Sequence, residues 1–220
     1  MIPLNIFTTW HTKELPPIMI ETINEIKLLN PEFSYYLYDF NDCRQFLINN
    51  FEMSVINAFD KLKPASYKSD LWRYCILYKY GGIYLDIKFK PLNNFKFIDL
   101  IDSEHICRDM HEQTTASTGL IICKPNNEIM SRCIQQIVEN VNNNFYGLGS
   151  LDPTGPILLT NCLDKQIFDS LGPLRLHNDI YILYNGKEIL QRYPEYCNEQ
   201  SQYQITDHYD KMLRERNIYN

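Results

Sequence analysis

Residues 69–92 read SDLWRYCILYKYGGIYLDIKFKPL, and this stretch decides the expected fold. Its first part favours a helix that begins at Pro64 and is ended by Gly81 and Gly82, because proline suits a helix start and glycine a helix end. The residues that follow, 83–87, alternate in polarity, which is typical of a strand. A helix that runs directly into a strand indicates an α/β sheet protein.

This helix and strand carry polar residues that are candidates for chemistry. Asp70 and Arg73 lie three residues apart in the expected helix and therefore share one face. Strand alternation puts two sets of side chains on opposite faces, Ile83, Leu85 and Ile87 against Tyr84, Asp86 and Lys88. Asp86 thus lies near the C-terminal end of the strand, where open α/β sheets bind ligands. The competing interpretations are a solvent-exposed salt bridge for the helix pair and a cap or turn role for Asp86.

Strand and helix patterns alternate along much of the remaining chain. Strands are expected at 4–9, 33–39 and 117–123, and helices from Pro16 onward and at 126–142. This order predicts an α/β fold with a mixed, mostly parallel sheet flanked by helices. No internal repeat or linker interrupts it, so residues 1–220 are expected to form one domain. The last third is harder to interpret, with a hairpin turn predicted at Asn185–Gly186 and an irregular lid as the alternative.

Composition excludes several classes of protein. The net charge of −6 comes without a basic face, which argues against nucleic-acid binding. The seven cysteines are scattered singly, which favours free thiols in a reducing compartment and disfavours a disulfide frame or a zinc site. No signal peptide or apolar run long enough to span a bilayer is apparent, so a soluble, cytoplasmic protein is expected.

The stretch at 69–92 resembles the DXD-containing sugar-binding region of glycosyltransferase family 32. The family pattern is roughly S-D-x-x-R-Y, a spacer, then G-G-x-Y-x-D-x-D, and every fixed position except the last is met here. The segments IFTTWHTKELPP and PEFSYYLYDFND are similar to the family's opening strands, and STGLIICKP, TGPILLT and DHYDKMLRERNIY fit later family segments more loosely. The resemblance covers nearly the whole chain and is strongest for residues 64–91.

The resemblance implies a GT-A fold, a nucleotide-sugar donor and retention of anomeric configuration. By matching position, Trp10 would stack on the donor base, and Asp70 and Arg73 would hold the donor sugar. Asp86 would reach the ribose, the sugar or a metal-bridged diphosphate. The remaining implied donor contacts are Thr9, Tyr84, Lys88, Thr154 and Gly155, with the acceptor side as the alternative for 154–156. His208 falls where relatives place a late metal ligand, and a surface histidine is the competing interpretation.

Lys88 departs from the family pattern, which expects a second aspartate there. A DXD motif binds Mn²⁺ or Mg²⁺ through that carboxylate, and an ammonium cannot ligate a metal. Lys88 could instead bind phosphate directly as a point charge, or point into solvent. The sequence favours, narrowly, a metal bound through Asp86 and donor oxygens with help from His208.

These observations predict a retaining glycosyltransferase that moves a hexose from a UDP- or GDP-sugar to a hydroxyl of a glycan or protein. No carboxylate nucleophile emerges from the sequence, so front-face attack is expected rather than double displacement. The alternatives are a nucleotidyltransferase or donor hydrolase, and a nucleotide-sugar-binding module without catalysis.

Overall fold

A mixed β-sheet runs through the protein in a computed structural model that describes residues 1–110 and 114–220. Its strand order is β2-β1-β3-β6-β5-β7-β8-β9-β4. The strands are β1 Asn5–Thr9, β2 Ser34–Tyr38, β3 Gly82–Leu85, β4 Phe89–Pro91, β5 His105–Asp109, β6 Ala116–Cys123, β7 Leu174–His177, β8 Tyr181–Tyr184 and β9 Lys187–Arg192. The sheet therefore draws on both the first and the last third of the chain.

Helices cover the sheet, and most of the long ones belong to the first two thirds of the chain. They are α1 Pro17–Leu29, α2 Phe40–Asn50, α3 Met53–Lys61, α4 Ala65–Tyr80, α5 Glu128–Asn142, α6 Pro156–Cys162, α7 Lys165–Asp169, α8 Tyr196–Tyr203 and α9 Tyr209–Arg214, with a 3₁₀ turn at Phe97–Leu100. Among the described residues, no helix combines the length and apolar character needed to cross a membrane.

The expected α/β class and mixed sheet are confirmed, but the expectation of a mostly parallel sheet is wrong. Of the eight strand pairings among the described residues, three are parallel: β1 with β2, β1 with β3, and β5 with β7. The predicted alternation of strand and helix covers the first two thirds of the chain, up to residue 142. Short turns join β7 to β8 and β8 to β9, and a parallel pair needs a crossover of a dozen or more residues.

The helix and strand predicted from residues 64–87 are confirmed with one shifted boundary. Pro64 is the N-cap of α4, and Gly81 follows its last turn with φ +62°. A Cβ on Gly81 would lie 2.6 Å from the backbone nitrogen of Pro125, so glycine meets both a left-handed and a crowded position. Strand β3 ends at Leu85, which places Asp86 directly beyond its C-terminal end.

The sheet separates two layers of apolar core. Tyr84 packs with Phe7, Leu71 and Trp72 under the helices of one face. The other face buries a second cluster that includes Ile83, Leu85, Leu120 and Ile122. The predicted alternation is confirmed for Ile83, Tyr84 and Leu85, whereas Ile87 lies beyond the end of β3 and packs with Trp10 in a separate cluster. The hairpin predicted at Asn185–Gly186 is also confirmed, since this turn joins β8 to β9.

Candidate active site

A cavity of about 540 Å³ opens where β1 and β3 end. Residues from both ends of the chain line it, in contrast to a site made by one local motif. Its lining includes Thr9, Trp10, His11, Asp70, Arg73, Tyr84, Asp86, Lys88, Ser117, Thr118, Gly119, Gly155, Asp179, Arg192, Tyr196, Cys197, His208 and Tyr209. A cavity of this size with convergent polar groups is typical of a small-molecule site.

Asp70 and Arg73 form a buried ion pair at the base of this cavity. Arg73 Nη1 lies 3.3 Å from Asp70 Oδ1, and the two residues are 5% and 6% exposed, respectively. The alternative of a solvent-exposed helix salt bridge is therefore wrong. Arg73 Nη1 also donates to the carbonyl oxygen of Thr118 at 2.8 Å, which ties α4 to β6.

The charge on Asp70 depends on its partners. Burial raises the pKa of Asp70, while the nearby Arg73 guanidinium and the hydroxyl of Thr154 lower it. Thr154 Oγ1 donates to Asp70 Oδ2 at 2.7 Å. Because a buried carboxylate without partners would take up a proton, these two neighbours favour the ionised form at the cavity.

Asp86 is held between the ion pair and the sheet. Its Oδ1 accepts hydrogen bonds from Tyr84 Oη at 3.0 Å and from Arg73 Nη2 at 3.3 Å. Its backbone N–H donates to the carbonyl oxygen of Gly119 at 2.8 Å. A Cβ on Gly119 would lie 3.1 Å from Asp86 Oδ2 and 2.9 Å from the Phe89 ring, so glycine leaves room for the carboxylate.

Lys88 lies against acidic partners. Its Nζ is 3.8 Å from Asp86 Oδ2 and 3.1 Å from Asp179 Oδ1, and its side chain is 19% exposed. The alternative in which Lys88 points into solvent is therefore wrong. Arg192 completes the group, since its Nη1 lies 3.0 Å from Asp179 Oδ2.

Asp179 and Arg192 were missed by the sequence interpretation. Asp179 lies in the turn between β7 and β8, and Arg192 ends β9. The β4–β9 register places Phe89 opposite Arg192, and the backbone N–H of Tyr193 donates to the carbonyl oxygen of Lys88 at 3.0 Å. The available signal was the hairpin at Asn185–Gly186, which predicted two paired strands but not their neighbour β4.

Of the other residues predicted to contact the donor, four line the cavity and one, Thr154, lies behind the lining. Thr9, Trp10, Tyr84 and Gly155 line the cavity. Thr154 is fully buried and lies behind the lining, where its hydroxyl positions Asp70.

Trp10 has features of both a core residue and a ligand-binding residue. It is 7% exposed and packs with Met19, Ile23, Ile87 and Tyr193. Its indole nitrogen nevertheless has no hydrogen-bond partner, although buried donors are normally paired. Trp10 also lines the cavity, at the predicted base site.

His208 lines the same cavity but caps a helix. Its Nδ1 accepts a hydrogen bond from the backbone N–H of Asp210 at 3.3 Å at the start of α9. The side chain is 53% exposed. Across residues 1–110 and 114–220, no group of three or more His, Cys, Asp or Glu side chains has the arrangement of a metal site.

Helix α8 forms one wall of the cavity and is fastened to α1. Buried Glu199 accepts hydrogen bonds from the backbone N–H groups of Ile18 at 2.9 Å and Met19 at 3.2 Å, and from Tyr193 Oη at 2.9 Å. A carboxylate satisfies the unpaired N–H groups of a helix N-terminus and its positive dipole end. This contact joins residues about 180 positions apart.

Comparison with known proteins identifies the region that contains much of this site. Residues 16–107 match the family described as the glycosyltransferase sugar-binding region containing a DXD motif. The chain is 34% identical over 86 residues to inositol phosphoceramide mannosyltransferase 3 of Schizosaccharomyces pombe, covering 39% of this chain and 24% of that protein. It is 31% identical over 166 residues to the uncharacterized glycosyltransferase L373 of Acanthamoeba polyphaga mimivirus, covering 69% of this chain and 64% of that protein.

The chain thus spans less than two thirds of the length of either relative. Among solved structures, the PaToxG glycosyltransferase shares the fold with a TM-score of 0.59 at 18% identity, over 76% of this chain and 70% of that one. The fold is therefore GT-A-like, as the resemblance implied. Across residues 16–107, about two fifths of its length, the chain is thus similar to the family of DXD-containing glycosyltransferase sugar-binding regions.

Proposed function

We propose that the protein is a retaining glycosyltransferase that moves a hexose from a UDP- or GDP-sugar to a hydroxyl of a glycan or protein acceptor. The observation that carries this proposal is the cluster in which the buried Asp70–Arg73 pair contacts the partly exposed Asp86 at the cavity, within the segment that matches the sugar-binding family. Strands from both ends of the chain in one sheet support the further proposal that residues 1–220 act as one domain.

The cluster of Asp70, Arg73 and Asp86 is suited to binding a sugar. Asp70 and Asp86 present carboxylate oxygens that accept hydrogen bonds from sugar hydroxyls, and Arg73 fixes both carboxylates. Because its guanidinium reaches Asp70 and Asp86 at 3.3 Å each, the three groups keep their geometry before a ligand arrives. Such preorganisation lowers the entropic cost of aligning donor and acceptor.

Front-face attack agrees with the partners of the two carboxylates. Both carboxylates already form ion pairs with Arg73. This pairing opposes nucleophilic attack by either carboxylate on the anomeric carbon. In the proposed reaction the acceptor oxygen bonds to the anomeric carbon. The bond to the diphosphate breaks with its electron pair passing to the diphosphate, which takes the hydroxyl proton. The protein then contributes positioning and charge stabilisation.

A divalent cation at this site is implied by the family but does not fit the donor set of this chain. Asp86 is the remaining carboxylate of the motif, and its Oδ1 already accepts hydrogen bonds from Tyr84 and Arg73. The Lys88 ammonium stands 3.8 Å from its other oxygen, where it would repel a metal. His208 alone adds a single nitrogen, and Mn²⁺ and Mg²⁺ prefer several oxygen ligands.

Product analysis with radiolabelled UDP- and GDP-sugars and a panel of glycan and protein acceptors tests the proposal. Labelled glycan or protein is expected. Free sugar alone would indicate a hydrolase, pyrophosphate release a nucleotidyltransferase, and binding without turnover a non-catalytic module. Each of those outcomes would contradict the proposal.

Two conservative variants then test the cluster itself. Asp70→Asn removes the negative charge, and Arg73→Lys cannot reach both carboxylates as a fork does. Each should reduce transfer about 10²–10³-fold, the usual effect of losing one preorganised contact to a developing charge. Near-normal transfer by both folded variants would rule out this cluster as the sugar site.

A further inference from the structure

A row of alternating charges runs from the sugar site to the rim of the cavity. Beyond the Arg73–Asp86 contact, Lys88 lies between Asp86 and Asp179, and Arg192 lies on the far side of Asp179. The two oxygens of the Asp179 carboxylate each contact a different cation, at 3.1 Å for Lys88 and 3.0 Å for Arg192. Two cations thus converge on one anion at the mouth of the cavity.

Backbone pairing fixes these two cations beside each other. Phe89 is opposite Arg192 in the β4–β9 pair, and the N–H of Arg192 donates to the carbonyl oxygen of Ile180 at 2.7 Å. Lys88 is joined to the same strand end through Tyr193. The backbone positions of both cationic residues therefore follow from the sheet, whereas Asp179 is 59% exposed in a turn.

The charges suit a diphosphate better than a metal ion. A nucleoside diphosphate group carries about two negative charges, and in other proteins Lys and Arg bind phosphate oxygens directly. Lys88 and Arg192 supply two positive charges at the rim, next to the sugar site. A divalent cation would supply the same charge, but Lys88 occupies the position of the carboxylate that would hold it.

We propose that Lys88 and Arg192 bind the donor diphosphate without a divalent cation, and that Asp179 is an internal anion which the diphosphate displaces. This inference rests on the proposed nucleotide-sugar donor. It assigns to Arg192, which lies outside the family-matched segment, a contact with the leaving group. The cations remain paired in the free protein, and their partner changes on binding.

Asp179→Asn separates this proposal from a metal site. Asp179 has φ +54°, a left-handed conformation that asparagine adopts readily. The substitution therefore removes the charge without straining the turn. It removes the carboxylate charge that the two cations share, while Lys88 keeps its 3.8 Å contact with Asp86, so binding of a nucleoside diphosphate should become tighter. If Asp179 instead held a metal ion that binds the diphosphate, Asp179→Asn would bind the nucleoside diphosphate more weakly.

The experiment is calorimetric titration of the full chain with UDP and GDP, first in EDTA and then with Mn²⁺. Uridine and guanosine serve as ligands without phosphate. Wild type is expected to bind UDP or GDP equally well in both buffers. Lys88→Met and Arg192→Gln should each weaken nucleotide binding about tenfold, as expected for one charge-assisted contact in a partly solvated site, and leave nucleoside binding unchanged.

Lys187→Gln is the matched control, because Lys187 is an exposed lysine on the same strand as Arg192 and lies outside the cavity lining. Binding that disappears in EDTA and returns with Mn²⁺ would overturn this inference and leave the proposed function standing. Weaker binding by Asp179→Asn would also overturn it. If neither UDP nor GDP binds in either buffer, the proposed nucleotide-sugar donor is wrong, and so is the proposed function.

Discussion

Replacement of Thr154 by valine tests what holds the Asp70 carboxylate at the cavity. Valine keeps the branched shape of threonine but lacks the hydroxyl that donates to Asp70 Oδ2 at 2.7 Å. Thr154 is fully buried and lies outside the cavity lining. The change therefore removes a hydrogen bond and leaves the cavity surface as it is.

The expected magnitude follows from burial of both partners. A hydrogen bond to a charged group contributes about 1.5–3 kcal/mol, and solvent does not screen this one because Thr154 is 0% and Asp70 6% exposed. We expect the free energy of unfolding at neutral pH to fall by about that amount. A smaller loss would mean that Asp70 is partly protonated in the variant.

The pH dependence has a definite sign. Burial raises the pKa of Asp70, and the Thr154 hydroxyl opposes that rise. If catalysis needs the carboxylate, activity is lost as pH falls through the folded-state pKa, and Thr154→Val should lose it at a higher pH than wild type. Because the raised pKa disfavours the ionised folded state, the Asp70 contribution to stability becomes more favourable as pH falls toward the ordinary aspartate range. This increase in stability on acidification should be larger in Thr154→Val, because its Asp70 pKa is raised further.

The assay combines urea unfolding with kcat/KM for sugar transfer across the acidic pH range. Thr154→Ser keeps the hydroxyl and is the control. Its loss of kcat/KM at acidic pH should occur at the same pH as in wild type. Wild-type stability and pH profile in Thr154→Val would refute this reasoning. A higher donor KM with an unchanged acid limb would instead place Thr154 in contact with the donor, as the sequence predicted.

Three further predictions concern the rest of the cavity. Trp10→Ala should weaken UDP or GDP binding by about 1–3 kcal/mol in calorimetry, the usual value of a base–aromatic stack; unchanged affinity with a lower Tm would make Trp10 a core residue only. Lys88→Asp restores the second carboxylate and should make nucleotide binding depend on Mn²⁺, and a titration without such a response would contradict the assignment of this position. Glu199→Gln should lower the free energy of unfolding by roughly 1 kcal/mol, because it removes a negative charge from the N-terminus of α1; an unchanged urea midpoint would argue against this anchor.

The part of the site that the sequence predicted is the part built from local structure. Asp70 and Arg73 share a face because three residues nearly complete a helical turn, and Asp86 follows β3 because glycine ends α4 directly before it. Each of these relations spans fewer than about 20 residues along the chain and depends on helical or strand periodicity.

The remaining half depends on pairings that periodicity does not encode. Arg192 reaches Lys88 because β9 pairs with β4, about 100 residues earlier in the chain, and Thr154 reaches Asp70 across 84 positions. The sequence also failed to predict that most strand pairs are antiparallel, because its pattern indicates where strands lie but not which strands pair. The family resemblance implied a donor contact for Thr154, yet its burial is a property of the packed fold.

Asp179 and Arg192 belong to one short element, the β8–β9 hairpin with the turn before it. This element lies outside the family-matched residues 16–107. Substitutions in this one short element would therefore alter the charge at the rim of the cavity while Asp70 and Arg73 keep their contacts. In evolutionary terms, the charge that this element adds at the rim and the proposed sugar contacts at the base of the cavity can drift separately, while Lys88 lies within residues 16–107. Grafting this element between relatives would accordingly exchange Asp179 and Arg192 without changing Asp70, Arg73 or Lys88.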